Sequence, residues 1–208
     1  MNGPVAYLVT TLGCLIGAAG VVVAVVAVRK GRKAARPAAP ADPFQDTDSD
    51  ALRGDPRTLK PGDIVEIRRV SYAVRGSVHL NEGSWSWAEH LLDTVEGDKR
   101  WLSVEEDPDL ELVLWTAEPA ATITPGASTL DFAGRRYALE ESGQARFTAT
   151  GSTGLDPSGT LRYHDYRAQG GERLSFEAYG QAGWEVARGE QLHRADVMVY
   201  PQAGPEAS

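Results

Sequence analysis

The sequence predicts a mainly β protein with a single N-terminal transmembrane helix, followed by a duplicated β-rich cytoplasmic domain, barrel-like or sandwich-like, with a pseudo-twofold repeat. Three observations lead to this prediction. Residues 5–28 form an apolar run without a charged side chain. After residue 58, short runs of alternating polar and apolar residues are separated by Gly, Pro, Asp and Asn, which is typical of strands and turns. Segments of the first half of this region recur in the second half in the same order, as internal repeats do.

The apolar run is long enough to cross a membrane. A helix of residues 5–28, with a rise of ~1.5 Å per residue, covers a hydrocarbon core of ~30 Å. A cleaved secretory signal is the alternative, because small residues that could imitate a cleavage site follow at 34–41. The order of charges disfavours it, since residues 1–4 have no basic side chain and the basic cluster at 29–33 follows the apolar run. The positive-inside rule therefore predicts a cell-membrane protein with residues 1–4 outside and the C-terminal domain in the cytoplasm. The 17 Arg against 4 Lys, together with abundant Ala and Gly, indicate a bacterial source with a GC-rich genome.

Two glycines in the predicted membrane helix have the spacing of a helix-packing motif. Gly13 and Gly17 form a GxxxG pair, which allows two helix backbones to approach closely. A homodimer through this helix is one interpretation. The general abundance of Gly and Ala in membrane spans is the other.

The segments that flank the β region have compositions that cannot build a core. Residues 29–57 begin with basic side chains and continue with Pro, Ala and Asp, which predicts an extended linker. Residues 201–208 are rich in Pro, Gly and Ala and are expected to be a disordered tail. Between these segments we expect a first β unit at 58–118 and a second β unit at 119–200.

The charge of the chain excludes some classes of function. The 208 residues include 21 Lys and Arg against 29 Asp and Glu, a net charge of −8. Five basic residues and no acidic residue precede residue 37, so the rest of the chain has 16 basic against 29 acidic side chains, a net −13. Nucleic-acid binding requires clustered Lys and Arg, so we expect no nucleic-acid partner. The single cysteine excludes an internal disulfide and a cysteine-based zinc site.

Twelve strands are predicted in the two β units, separated by turns rich in Gly, Asn and Asp. The predicted strands are 63–69, 72–80, 84–92, 100–105, 110–116, 129–132, 135–140, 145–150, 160–167, 173–179, 184–188 and 197–200. Each is a short run whose side chains alternate in polarity or are rich in β-branched and aromatic residues.

The two β units repeat one another. In order, segments 71–74, 87–90, 100–105 and 111–114 correspond to segments 136–139, 163–166, 172–177 and 184–187. The offsets between corresponding segments are 65, 76, 72 and 73 residues, and they differ only by loop-sized insertions, as expected when repeats diverge in their turns. We interpret the pattern as a duplication, and a chance likeness among short strands rich in Tyr, Val and Glu is the alternative.

The same residues resemble a known bacterial family, domain of unknown function 4178. The resemblance covers roughly residues 58 to 192. It depends on Leu59-Lys-Pro-Gly-Asp63, Tyr72-x-Val-x-Gly76, Trp87-x-Glu-His-Leu-Leu92, Trp101-Leu-Ser-Val-Glu105, Tyr163-x-Asp-Tyr166 and Leu174-Ser-Phe-Glu177. The resemblance implies a β-rich module, often in membrane-associated bacterial proteins, without an established reaction and without catalytic residues that could be transferred to this sequence.

One predicted strand carries an acid between aromatic residues. Alternation places Trp87 and Glu89 on one face and His90 on the opposite face, so Glu89 and His90 cannot form a dyad. Burial beside indole rings would raise the pKa of Glu89. An ion pair of Glu89 with Arg75 or Arg100 is the favoured alternative.

Four carboxylates could converge near the pseudo-twofold axis. Glu105 and Glu177 occupy equivalent positions in the repeat, and Glu89 and Asp165 could join them. Such a cluster would suit a hard divalent cation or a polyamine. The alternative is that each acid bridges its own strand pair. The candidate ligand or partner site consists of Trp87, Glu89, His90, Glu105, Asp165 and Glu177.

No catalytic motif is present in the sequence. The four histidines lack zinc-hydrolase spacing, and the sequence contains no phosphate-binding loop, dinucleotide-binding glycine pattern or nucleophile elbow. We therefore expect a membrane-anchored binding or adaptor module for a protein partner or a small cationic ligand, with no catalytic residues, no metal and no indicated cofactor. A carboxylate-site enzyme or metal-dependent regulator, and an accessory subunit of a membrane complex assembled through Gly13 and Gly17, are the alternatives.

Overall fold

The computed structural model of this protein describes residues 53–94 and 97–203 and is mainly β in these ranges. Two single 3-10 turns are present at Pro56–Thr58 and Arg194–Asp196. The strands are β1 (Ile64–Ile67), β2 (Val70–Glu82), β3 (Trp85–Asp93), β4 (Arg100–Glu106), β5 (Leu110–Ala117), β6 (Thr129–Phe132), β7 (Arg135–Gly151), β8 (Ser158–Ala168), β9 (Arg173–Tyr179), β10 (Glu185–Leu192) and β11 (Val197–Tyr200).

Eight of the strands form a closed antiparallel barrel. All eleven belong to one sheet, in the order β11-β1-β2-β3-β4-β5-β10-β9-β8-β7-β6. Pairing of β2 with β7, from Gly76 opposite Gly151 to Asn81 opposite Arg146, closes the ring. The interior of an eight-stranded barrel is just wide enough for side chains to fill it. Of the two predicted architectures, barrel and sandwich, the chain adopts the barrel.

The prediction of a membrane helix is corrected by the structure. Within residues 53–94 and 97–203, no helix is long and apolar enough to cross a membrane, and the two helical turns there have three residues each. The run at 5–28, with Gly13 and Gly17, lies outside the described residues. A single-pass membrane protein, a homodimer through its helix and an N-out orientation are therefore not supported, because all three depended on that helix.

The end of the predicted linker packs against the barrel. The Asp55 side chain accepts a hydrogen bond from the Arg57 backbone N–H at 2.9 Å and caps the first 3-10 turn. The Arg57 guanidinium contacts Glu106 on β4 at 2.7 Å, and Pro56 is buried. Residues 29–52 of the predicted linker and 204–208 of the predicted tail lie outside the described residues.

The two halves of the barrel have the same construction. Each begins with a tight hairpin, β1–β2 or β6–β7, whose two central residues have positive φ: 49° and 70° at Arg68 and Arg69, 48° and 76° at Ala133 and Gly134. Positive φ at both central positions is the geometry of the type I′ turn. The second strand of each hairpin then shifts register, at Val74/Gly76 and at Leu139/Glu141, where it enters the barrel.

Strand pairing also relates the acidic positions of the two halves. Glu89 on β3 is opposite Ser103 on β4. Asp165 on β8 is opposite Ser175 on β9. Glu89 and Asp165 are therefore equivalent positions in the two halves.

One pair of predicted strands is a single strand. The predicted strands at 135–140 and 145–150 are continuous in β7, which extends from Arg135 to Gly151. Gly143 lies in the interior of β7, where an added Cβ would come within 2.6 Å of the Glu82 carboxylate and 2.7 Å of the Tyr163 hydroxyl. The glycine allows these side chains to approach the strand and does not mark a turn.

Three apolar clusters lie inside and outside the barrel wall. The interior cluster includes Val78, Leu80 and Phe147. A second cluster packs β1, β11 and the start of β2 over the outer face of β3–β5. A third packs β6 and the start of β7 over the outer face of β8–β10. Both faces of the barrel wall are thus covered, and polar side chains that point inward have little access to water.

Candidate functional site

The barrel interior contains a pair of carboxyl groups from opposite halves of the chain. Glu89 on β3 is 6% exposed, and Glu177 lies on β9. The Tyr179 hydroxyl oxygen lies 3.2 Å from Glu89 Oε2 and 3.3 Å from Glu177 Oε2, so the two carboxyl groups flank the same phenol. Burial and the charge of Glu89 raise the pKa of Glu177 well above its usual range, which favours the protonated form of Glu177.

Neutral donors fix the position of Glu89. The Trp87 indole N–H donates to Glu89 Oε1 at 3.1 Å, and the Tyr179 hydroxyl donates to Glu89 Oε2 at 3.2 Å. Burial raises the pKa of Glu89, and these hydrogen bonds oppose the shift by stabilising its charged form. The predicted pairing of Glu89 with Arg75 or Arg100 is replaced by these contacts, and Arg75 lies 3.9 Å from Asp93 instead.

A third carboxyl group, Asp165, lies close to the pair. Burial raises its pKa to about 7, with further contributions from the charges of Glu89 and Glu141. A hydrogen bond with Ser175 and the charge of Arg173 act in the opposite direction. The barrel interior therefore contains carboxyl groups whose pKa values lie above the usual range of acids.

A small cavity borders the carboxyl pair. It is lined by Glu89, Trp101, Trp115, Ala117, Ser175, Glu177, Glu185, Val186 and Ala187. Its volume is about 30 Å³, which is room for one or two groups of the size of water. Trp101 and Trp115 are directly opposite each other on β4 and β5. Because the Glu185 side chain is 61% exposed, the cavity reaches the surface at this end of the barrel.

A lysine lies at the cavity mouth. Lys99, just before β4, binds Glu185 Oε2 at 2.7 Å. Its ammonium nitrogen is also 5.7 Å from the ring centroid of Trp101, which is within the range of a cation–π contact. The charge of Lys99 lowers the pKa of Glu89. Lys99 thus contacts two residues of the cavity wall and acts electrostatically on a third.

Two of the predicted site residues are elsewhere. Glu105 accepts a hydrogen bond from the Trp85 indole N–H at 2.6 Å and does not line the cavity. His90 lies on the outer face of β3 and is 1% exposed, with Nδ1 hydrogen-bonded to Ser77 Oγ at 2.8 Å. The structure thus brings together Trp87, Glu89, Asp165 and Glu177 from the predicted set.

The alternative of a divalent-cation site receives no support. Among the residues that the structure describes, no group of three or more His, Cys, Asp or Glu is arranged to hold a metal ion. Glu89 instead accepts hydrogen bonds from the Trp87 indole and the Tyr179 hydroxyl.

Sequence reasoning missed four residues around the pair: Trp101, Trp115, Ser175 and Tyr179. Tyr179 and Ser175 are each two positions from Glu177, so alternation alone places them on the same face of β9. Trp101 and Trp115 could not be found in this way, because their place beside Glu177 depends on the pairing of β5 with β10, which joins the two halves.

Comparison with known proteins identifies a family whose matched residues cover the barrel. The family model "Domain of unknown function (DUF4178)" matches residues 60–194. The chain is 39% identical over 154 residues to an uncharacterized protein of Mycobacterium bovis and, to the same extent, to one of Mycobacterium tuberculosis, covering 70% of this chain and 73% of each relative. No solved structure matches the chain. In this chain the family's sequence folds into an eight-stranded barrel with an internal carboxyl pair. The chain therefore belongs to the DUF4178 family, as its motifs predicted.

Proposed function

We propose that the barrel is a binding module for a ligand that carries an ammonium group, which enters the cavity beside Glu89 and Glu177. The observation that carries the proposal is the buried pair of carboxyl groups, Glu89 and Glu177, at the edge of a cavity lined by two tryptophans. A bound cation would compensate the charge of both carboxylates and so favour their ionised form. Acidic oxygens and aromatic faces are the two groups that proteins use to bind ammonium ions.

The size of the cavity favours an ammonium head group over a whole substrate. A volume of about 30 Å³ accepts a group of the size of water, and the rest of the ligand would extend past the exposed Glu185. Three oxygen-bearing side chains line the cavity near the pair: Glu89, Glu177 and Ser175. They match the three N–H donors of a primary ammonium group.

The same argument favours binding over catalysis. A general acid or base must lie within hydrogen-bond reach of the reacting atom of its substrate. A cavity with room for a head group alone leaves no space for a reacting centre next to the carboxyl pair. The acidic charge of the chain, −8 overall, attracts cationic ligands and adds to their rate of association.

The proposal is tested by calorimetric titration of the full-length chain with n-butylammonium chloride at pH 7. We expect saturable binding that releases a proton, so the observed enthalpy should change with the ionisation enthalpy of the buffer. Glu177→Gln keeps the size of the side chain but cannot supply a carboxylate, and it should weaken binding by about tenfold or more.

Glu106→Gln is the matched control. Glu106 is an exposed carboxylate on the same protein, paired with Arg57 at 2.7 Å and 51% exposed, and its replacement should leave the affinity unchanged. Absence of butylammonium binding to the wild-type chain, or equal weakening by Glu106→Gln and Glu177→Gln, would contradict the proposal.

A further inference from the structure

Lys99 already occupies the place where the rest of a bound ammonium ligand would pass. Its ammonium group contacts Glu185 at 2.7 Å and lies over the ring of Trp101, and both residues line the cavity. The contacts that hold Lys99 are a carboxylate and an indole face, the same two groups that the cavity would offer to a ligand. The lysine therefore shows, within the chain itself, which chemistry the cavity mouth accepts.

We infer that Lys99 is an internal competitor for the cation site, which is bound to Glu185 and Trp101 at the cavity mouth and must be displaced when an ammonium ligand enters. This inference rests on the proposed function. The Lys99 side chain is 41% exposed, so it can leave the mouth without disturbing a packed core. The positive charge of Lys99 also acts on Glu89 from the mouth, and a second cation would be repelled while Lys99 stays there.

Competition of this kind has a predictable size. An exposed ion pair such as Lys99–Glu185 contributes little to stability, so its loss should change the affinity for a competing cation by about two- to fivefold. Removal of Lys99 should therefore strengthen binding, in contrast to the loss expected at Glu177. The direction of the change distinguishes a competitor from a residue that helps to bind the ligand.

The first test compares Lys99→Gln with the wild-type chain in calorimetric titrations with n-butylammonium. We expect about two- to fivefold tighter binding to Lys99→Gln. Arg135→Gln is the control, because Arg135 is an exposed cation paired with Glu172 away from the cavity, and it should bind butylammonium as the wild type does. Equal or weaker binding by Lys99→Gln would overturn the inference.

A second measurement needs no ligand and separates this inference from the proposed function. Caesium ions quench tryptophan fluorescence and are repelled by a nearby lysine, whereas neutral acrylamide is not. If Lys99 shields Trp101 from cations, the ratio of caesium quenching to acrylamide quenching should rise in Lys99→Gln and stay unchanged in Arg135→Gln. An unchanged quenching ratio in Lys99→Gln would overturn the inference that Lys99 shields Trp101, even if butylammonium binds. A raised ratio without any butylammonium binding would contradict the proposed function alone.

Discussion

Trp87 and Tyr163 meet edge to face inside the barrel, with ring centroids 5.8 Å apart and an interplanar angle of 72°. They occupy equivalent positions in the two halves, each two residues before an interior acid, Glu89 or Asp165. The Tyr163 hydroxyl donates to Glu82 at 2.6 Å, and the Trp87 indole donates to Glu89. The two halves thus contact each other through an aromatic pair whose polar atoms point to separate carboxylates.

This aromatic contact should contribute to stability beyond the burial of each ring. In a double-mutant cycle of Trp87→Leu and Tyr163→Leu, measured by urea denaturation, we expect a coupling energy of about 0.5–1.5 kcal/mol. Combining Trp87→Leu with Tyr200→Leu, at a tyrosine that is 41% exposed, should give additive losses. Additivity within about 0.3 kcal/mol for the Trp87 and Tyr163 pair would show that the two rings do not depend on each other.

The pKa of Asp165 predicts a stability that depends on pH. Burial raises this pKa from 3.8 to about 7 in the folded chain. At a pH between 3.8 and about 7, Asp165 has released its proton in the unfolded chain but retains it in the folded chain. The contribution of Asp165 to the free energy of unfolding therefore falls as pH rises. Asp165→Asn removes this penalty and should stabilise the protein increasingly, by at most about 1.4 kcal/mol per pH unit.

Urea denaturation of wild type and Asp165→Asn at intervals from pH 4 to 7 measures the effect. Asp131→Asn is the control, because an ion pair with Arg136 lowers the pKa of Asp131, so its effect on stability should be constant across this window. A difference between wild type and Asp165→Asn that does not grow with pH would show that Asp165 titrates normally in the folded chain.

His90 predicts the opposite dependence on pH. Burial, with a smaller effect of the His79 charge, lowers the pKa of His90 to about 4, and Asp63 opposes the shift. The folded chain therefore keeps His90 neutral while the unfolded chain takes up a proton, and stability is lost as pH falls from 6.5 towards 4. His90→Gln should lower stability at pH 7, by about 1–3 kcal/mol, because the hydrogen bond with Ser77 is disrupted, but should flatten the loss below pH 6.5.

Denaturation curves at pH 7, 6 and 5 distinguish these effects. The exposed His193 offers the matched variant His193→Gln, which should follow the wild-type dependence on pH. Parallel curves for His90→Gln and wild type would mean that His90 is not responsible for the acid sensitivity.

Local patterns in the sequence predict the strands but not the pairing that closes them into a barrel. Alternation placed Glu89 and His90 on opposite faces, and the structure has them on opposite faces of the barrel wall, Glu89 inside and His90 outside, where it is hydrogen-bonded to Ser77. The prediction that Glu89 pairs with an arginine was wrong, because Glu89 accepts hydrogen bonds from Trp87 and from Tyr179 of the other half. Such a contact depends on the pairing of strands that are distant in the sequence, which no local pattern predicts.

The carboxyl cluster was predicted only in part for the same reason. The repeat made Glu105 and Glu177 equivalent, yet Glu105 accepts a hydrogen bond from Trp85, whereas Glu177 lines the cavity together with Glu89. Equivalent strand positions in the two halves therefore do not have equivalent side-chain partners. The divergence of single residues, such as the indole at Trp85, decides which acid reaches the cavity.

Gly189 on β10 should be essential for the shape of the cavity. It lies opposite Trp115, and an added Cβ would come within 2.5 Å of the Trp115 ring, closer than carbon atoms can approach. Gly189→Ala must therefore displace an indole that lines the cavity, which should destabilise the chain by about 1–3 kcal/mol and shift its tryptophan emission. At Gly183 an added Cβ would meet no heavy atom within 4 Å, so Gly183→Ala should leave both emission and stability nearly unchanged. Because Trp115 lines the cavity that we propose as the cation site, Gly189→Ala should also weaken butylammonium binding at a temperature where the variant is still folded. Wild-type affinity in a folded Gly189→Ala chain with shifted emission would remove Trp115 from the binding site.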